Sequence, residues 1–125
     1  MTKIKETSTN SINRKALSSC NLTYALSVMG GRWKLLILTQ LESGRLRYSE
    51  IKRKVPNITE RMLTLQLREM EKDGLLIRTV HPEIPPRVEY ELTGIGRGLV
   101  PICAGLHDWG TKHKEMGDLR STNNA

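Results

Sequence analysis

A mainly α-helical domain closed by a small β-hairpin is the fold class this sequence predicts. Three observations point there. Residues 47–74 read as a short helix, a tight turn and a longer helix; the periodicity switches from helical to alternating over residues 75–92; and a further apolar stripe at helical spacing runs from Leu99 to Trp109. Two helices across a short turn with a hairpin directly behind them make a winged helix-turn-helix. At 125 residues the chain fits one domain with a modest core.

Residues 1–19 are rich in Ser, Thr, Asn and Lys, with isolated Ile4, Ile12 and Leu17, and predict a flexible arm because they cannot bury enough apolar surface to order themselves. Asn21 or Thr23 starts a helix carrying Leu22, Ala25, Leu26 and Met29 on one face, which Gly30-Gly31 ends. Residues 32–41 are apolar on nearly all sides, with Trp33, Leu36, Ile37 and Leu41 at helical spacing. Such a helix is expected at the centre of the core.

Ser49 is the expected cap of the next helix, Pro56-Asn57 its breaker, Thr59 the cap of the longer helix and Gly74 its stop. Leu63, Leu67 and Met70 fall on one side of that longer helix at i, i+4, i+7. Its other side carries Arg61, Thr64, Leu65, Arg68 and Lys72, a mixture suited to base edges: arginines for guanine, threonine for either strand, leucine for a thymine methyl. On these residues alone a merely solvated face is an equally good reading.

Residues 75–80 and 87–92 predict two strands, with Val88, Tyr90 and Leu92 sharing a face. The connection His81-Pro82-Glu83-Ile84-Pro85-Pro86 is too long and Pro-rich for a tight hairpin and predicts a stiff projecting finger. Arg87, expected at the base of the wing, and Arg78 opposite are candidates for phosphates or a minor groove. Thr93 starts a final helix whose stripe is Leu99, Ile102, Cys103, Leu106 and Trp109, with Pro101 kinking it or marking its first turn. The wing already covers the core, so this stripe, with Leu22 and Leu26 of the first helix, predicts a homodimer built through the N- and C-terminal helices. The organisation expected is an arm over 1–19, a DNA-binding and dimerisation domain over 20–116, and a frayed polar tail over 117–125.

The net charge of +7 favours an acidic partner, nucleic acid before an anionic membrane surface. Between Arg45 and Lys72 there are eight Lys or Arg against four Glu, so much of the surplus lies on the two central helices. No apolar run approaches the ~20 residues of a membrane helix and residues 1–19 hold no secretory signal, so a cytoplasmic protein without membrane partners is expected. Cys20 and Cys103 match no zinc spacing, and His107 and His113 point away from one another on a helix; neither metal nor other cofactor is expected. No nucleophile, base and orienting acid stand together, and Gly94-x-Gly96-x-Gly98 lacks the strand-then-helix context of a dinucleotide site, so no enzyme is expected.

Taken in order, Gly30-Gly31-Arg32-Trp33, Arg47-Tyr48-Ser49-Glu50-Ile51, Ile58-Thr59-Glu60-Arg61-Met62-Leu63, Leu67-Arg68-Glu69-Met70-Glu71-Lys72-Asp73-Gly74-Leu75, Pro86-Arg87-Val88-Glu89-Tyr90-Glu91-Leu92-Thr93 and Trp109-Gly110 resemble the HxlR family of bacterial winged helix-turn-helix transcription regulators, relatives of the MarR group. The resemblance covers residues 20 to about 113. It departs at Arg32, where lysine is usual, and at Gly94, where a helix former is common. It implies a homodimer binding a pseudo-palindromic duplex, with Cys20 at the position of a recurrent oxidant or electrophile sensor.

On that reading Arg61, Thr64, Leu65 and Arg68 read bases, while Ser49, Arg53, Lys54, Thr59, Lys72 and Arg87 hold the backbone. Cys20 lies near a helix start with Arg14 and Lys15 close in sequence, which favours thiolate. An inert thiol against the dimer seam fits Cys20 equally well, and Cys103 reads as core. Two alternatives stay open: an adaptor that binds protein and not DNA, and a regulator whose input is a metal or small molecule held between the dimer helices.

Overall fold

A computed structural model describes residues 20–124, so the arm expected over 1–19 lies outside the described residues. The elements in order are α1 (Asn21–Met29), α2 (Lys34–Gln40), β1 (Leu46–Arg47), α3 (Tyr48–Lys54), α4 (Glu60–Lys72), β2 (Leu76–His81), β3 (Arg87–Leu92), α5 (Gly94–Arg97) and α6 (Val100–Asn124). The architecture is mostly helical with one small antiparallel sheet, as the sequence predicts.

The core forms where α2, α3 and α4 converge beneath the sheet. Ile37, Leu38 and Leu41 of α2 meet Ile51 of α3 and Leu63, Leu67 and Met70 of α4, with Tyr90 and Leu92 of β3 closing one side. Burying each such aliphatic side chain contributes about 1.5–3 kcal/mol. Leu36, expected in this core, is exposed, and Leu38 takes its place. The reason is that α2 is only seven residues long and has neighbours on part of its circumference.

Both ends of α4 are fixed by local chemistry. The Met62 amide donates to the Thr59 hydroxyl at 3.1 Å, a cap worth about 1 kcal/mol. At the other end Gly74 takes φ +76°, and the amides of Leu75 and Gly74 return to the carbonyls of Met70 and Glu71 at 2.9 and 3.0 Å. A side chain at Gly74 would strain that left-handed turn. Asn57, φ +66°, reverses the chain between α3 and α4.

The cap expected at Ser49 is displaced by two residues. Arg47 is the N-cap of α3, its amide donating to Glu50 Oε1 at 2.8 Å, and Ser49 lies in the first turn. Arg47 is extended because it also ends β1, which pairs with β3 through Leu46↔Tyr90 and Arg47↔Glu89. The expected two-stranded hairpin is therefore a three-stranded sheet in the order β1-β3-β2. In the hairpin proper Leu76 faces Leu92, Arg78 faces Tyr90 and His81 faces Arg87.

Thr93 begins not one helix but two. Its hydroxyl donates to the Gly74 carbonyl at 2.6 Å and accepts from the Gly96 amide at 3.1 Å, capping the single turn of α5. Gly96 passes so close to the sheet that a Cβ there would lie 2.0 Å from the Leu75 carbonyl oxygen. That approach requires glycine at position 96, whereas a Cβ at Gly94 would meet nothing within 4 Å. Pro101 then falls in the first turn of α6, where a missing amide costs little. The polar stretch 117–125, expected to fray, continues α6 through Asn124, since no proline or glycine follows Gly117 to stop it.

Candidate nucleic-acid interface

The turn between α3 and α4 presents the outward face of α4 to solvent. Arg61, Leu65, Arg68 and Lys72 are exposed along it at intervals of three to four residues, so they form one stripe. Among the described residues Arg61, Arg68 and Lys72 take part in no ion pair. Thr64 is different. The Tyr48 hydroxyl donates to the Glu60 carbonyl at 2.9 Å and meets the Thr64 hydroxyl at 3.0 Å, leaving Thr64 half-buried and already bonded. Its hydroxyl ties the start of α3 to α4, a long-range contact that periodicity does not reveal.

Around this stripe, Ser49 and Thr59 are exposed at the starts of α3 and α4, where backbone amides lack intrahelical partners. Arg53 and Lys54 are exposed in the last turn of α3, where they also offset the negative end of that helix. Lys72 stands at the far end of α4, about 16 Å from Arg61 at ~1.5 Å per residue.

The wing inverts the expectation for its two arginines. Arg87 is at the tip end of β3, paired with Glu83 at 3.3 Å, and is not at the base. Arg78 lies on the sheet face that turns toward α4. It lines a cleft of about 320 Å³ with Tyr48, Thr64, Leu67, Arg68, Glu71 and Tyr90. The signal for this was the alternation Leu76, Arg78, Val80 opposite Leu92, Tyr90, Val88. On the outer sheet face Glu89 meets His81 at 2.6 Å and Arg45 at 3.9 Å, and Glu91 meets Arg45 at 3.6 Å, so these carboxylates are engaged.

Behind the stripe sits a contact the sequence does not announce. Lys34 of α2 is 6% exposed and its Nζ is 2.8 Å from Glu69 Oε1 on the inner flank of α4. An ammonium taken out of water needs such a partner. The pair pins α4 to the helix that follows Gly30 and Gly31.

Cys20 is the N-cap of α1 and is exposed. The Thr23 hydroxyl, then the Thr23 and Leu22 amides, hold its thiol below the ordinary cysteine range, although no side-chain hydrogen bond formally caps the helix. Cys103 behaves oppositely: burial, with the Glu42 carboxylate nearby, pushes it up.

The stripe expected at a dimer seam divides. Leu99 and Cys103 pack into the subunit's own core, because the first turns of α6 lie against α2. Ile102, Leu106 and Trp109 remain exposed, the last at 63%, as do Leu22 at 70% and Leu26 on α1. Trp109 stacks on His113 with ring centroids 5.0 Å apart. Among the described residues no three His, Cys, Asp or Glu gather around a common point, and no helix is long and apolar enough to cross a membrane.

A family model described as HxlR-like helix-turn-helix matches residues 28–118. An HTH-type transcriptional regulator of Methanothermobacter thermautotrophicus is 52% identical over 91 residues, 73% of this chain and 70% of that protein. The regulator YdeP of Bacillus subtilis is 46% identical over 99 residues, 79% of this chain and 77% of that one. Among solved structures, the redox regulator HypR in its reduced form is 42% identical with a TM-score of 0.74, covering 78% of this chain and 97% of HypR.

Proposed function

The chain belongs to the HxlR-like helix-turn-helix family of transcriptional regulators, which are not enzymes, and from that premise we propose that it binds double-stranded DNA sequence-specifically as a homodimer. The observation that carries the reading is the outward stripe of α4: two arginines free of ion pairs among the described residues, with a leucine between them, on a helix fixed at both ends. Arg61, Leu65 and Arg68 meet base edges, with Thr64 contributing at most its methyl group while its hydroxyl stays on Tyr48. Ser49, Arg53, Lys54, Thr59 and Lys72 hold phosphates, joined by Arg78 from the cleft and more weakly by Arg87, whose charge Glu83 offsets. Two such subunits place their α4 helices roughly 34 Å apart, one turn of B-form DNA.

Competition titrations with a selected duplex and a scrambled one test the assignment. Arg68→Ala costs about 1–3 kcal/mol on the selected duplex and little on the scrambled one. Lys54→Ala weakens both alike and lowers the log-log salt slope by about 1. Equal losses from Arg68→Ala on both duplexes contradict base reading.

Cys20 supplies a candidate input. An exposed thiol biased toward thiolate at the cap of a dimer helix is placed for oxidation or alkylation to change the seam, and the similarity to a redox regulator supports this reading. If a Cys20→Ser protein releases its duplex under diamide or quinone as readily as wild type, the thiol is not the switch.

A further inference from the structure

We infer that Lys34 and Tyr48 are positioning residues for base reading: the Lys34–Glu69 pair and the Tyr48–Thr64 contact lie on opposite flanks of α4 and set its rotation about its own axis. This rests on the DNA-binding reading and adds to it the side chains, none of them on the outward stripe, that fix where the stripe points.

At about 100° per residue, the exposed Arg61, Leu65, Arg68 and Lys72 occupy one sector of α4, and the buried Leu63, Leu67 and Met70 lie roughly opposite. Thr64 falls about 70° to one side of the centre of the stripe and Glu69 about 70° to the other. Both are half-buried, at the edges where α4 leaves the core.

Each flank is tied to a different helix. From the start of α3, the Tyr48 hydroxyl donates to the Glu60 carbonyl at 2.9 Å and meets the Thr64 hydroxyl at 3.0 Å. From the first residue of α2, Lys34 Nζ lies 2.8 Å from Glu69 Oε1. Both anchoring helices are themselves fixed in the core, α2 through Ile37 and Leu38 and α3 through Ile51.

Reading bases needs more than the apolar contacts beneath α4 supply. Those contacts attract without direction, so they tolerate a small roll of the helix. For a side-chain tip about 6 Å from the axis, a roll of about 10° is a displacement of about 1 Å. That exceeds the roughly 0.5 Å range over which a hydrogen bond keeps good geometry. Directional contacts on both flanks oppose the roll in either sense.

The chemistry of the first tie points the same way. Lys34 is the one charged residue buried among the described residues. Desolvating its ammonium offsets much of the attraction to Glu69, and an apolar pair of similar volume would hold the fold about as well. What such a pair lacks is a fixed geometry. The ion pair therefore contributes orientation more than stability.

The test compares a selected duplex with a scrambled one and reads the ratio of the two affinities. An inactive or partly unfolded fraction lowers both alike and leaves that ratio unchanged. Lys34→Met with Glu69→Gln removes the pair and keeps the net charge. Its urea midpoint, and its salt slope on the scrambled duplex, stay as in wild type, while the ratio falls about tenfold, the discrimination of one good bidentate base contact. Tyr48→Phe, which removes one hydroxyl and keeps the ring, lowers the ratio about threefold. A folded double variant or a Tyr48→Phe protein with the wild-type ratio overturns the inference, as does an equal loss on both duplexes. Should the double variant not fold, Glu69→Asp decides, because it keeps the charge and draws the carboxylate back by one methylene: a lowered ratio supports the inference and an unchanged one overturns it. Wild-type protein that binds both duplexes equally, or neither, removes the DNA-binding reading itself, an outcome distinct from a sequence-specific wild type whose variants discriminate as well as it does.

Discussion

In α3 and α4 the large inward-facing apolar side chains, Ile51, Leu63, Leu67 and Met70, find partners within one chain, whereas α1 and the outer half of α6 leave Leu22, Leu26, Leu106 and Trp109 in water. The first region is capped at both ends of α4, pinned by the Lys34–Glu69 pair and roofed by the sheet. The second has a nine-residue helix that buries only Met29 and lacks a side-chain cap. A helix that short is marginal in isolation. In the proposed dimer the difference becomes a division of labour: the first half presents the stripe on α4, and the second, which carries Cys20, would set how two stripes are spaced.

The comparison breaks most visibly if α6 can be disabled without harm to the core. Leu106→Arg with Trp109→Glu changes two exposed positions, so the variant is expected to fold as a monomer in sedimentation equilibrium. Its affinity for the selected duplex should drop on the order of 100-fold, because the second half-site is no longer delivered at high effective concentration. An intact dimer would mean the seam lies elsewhere.

Within α4 the contrast between faces is sharp enough to measure. Leu63→Ala empties a fully buried site and should cost about 2–5 kcal/mol in urea unfolding. Leu65→Ala, on the exposed face, should stay within about 0.5 kcal/mol while still weakening DNA binding. The cap is a smaller lever. Thr59→Ala should cost about 1 kcal/mol, read from the same unfolding curves.

The mildest test concerns the two thiols. Thiolate is the reactive form, so Cys20, whose pKa is lowered chiefly by Thr23, should reach half-maximal alkylation rate at a pH below that of an ordinary cysteine. Thr23→Ala should move that midpoint upward. Cys103, raised by burial and by Glu42, should react slowly and only at higher pH.

Much of this was legible in the sequence because the signals were local. The α4 stripe is a 3.6-residue period bounded by Thr59 and Gly74, and β3 is an alternation ending at Leu92; both stand where they were expected. What escaped depends on partners distant along the chain. A two-residue strand such as β1 has no period, and Arg47 becomes a cap only because β3 lies beside it. Lys34 meets Glu69 35 residues later, and Tyr48 occupies Thr64 across the turn. Leu99 and Cys103 share the spacing of Leu106 and Trp109, so only the contact with α2 separates core from exposed stripe. Arg87 was expected at the base of the wing, yet it directly follows the connection over residues 81–86 and so stands at the tip end, facing His81.

Sedimentation velocity of the protein with duplexes whose half-sites are one turn or one and a half turns apart addresses the pairing of α4 helices most directly. Two chains per duplex are expected at the one-turn spacing, with binding sharply weakened when a half turn rotates one site to the opposite side of the helix. One chain per duplex, held equally well at either spacing, would contradict the account.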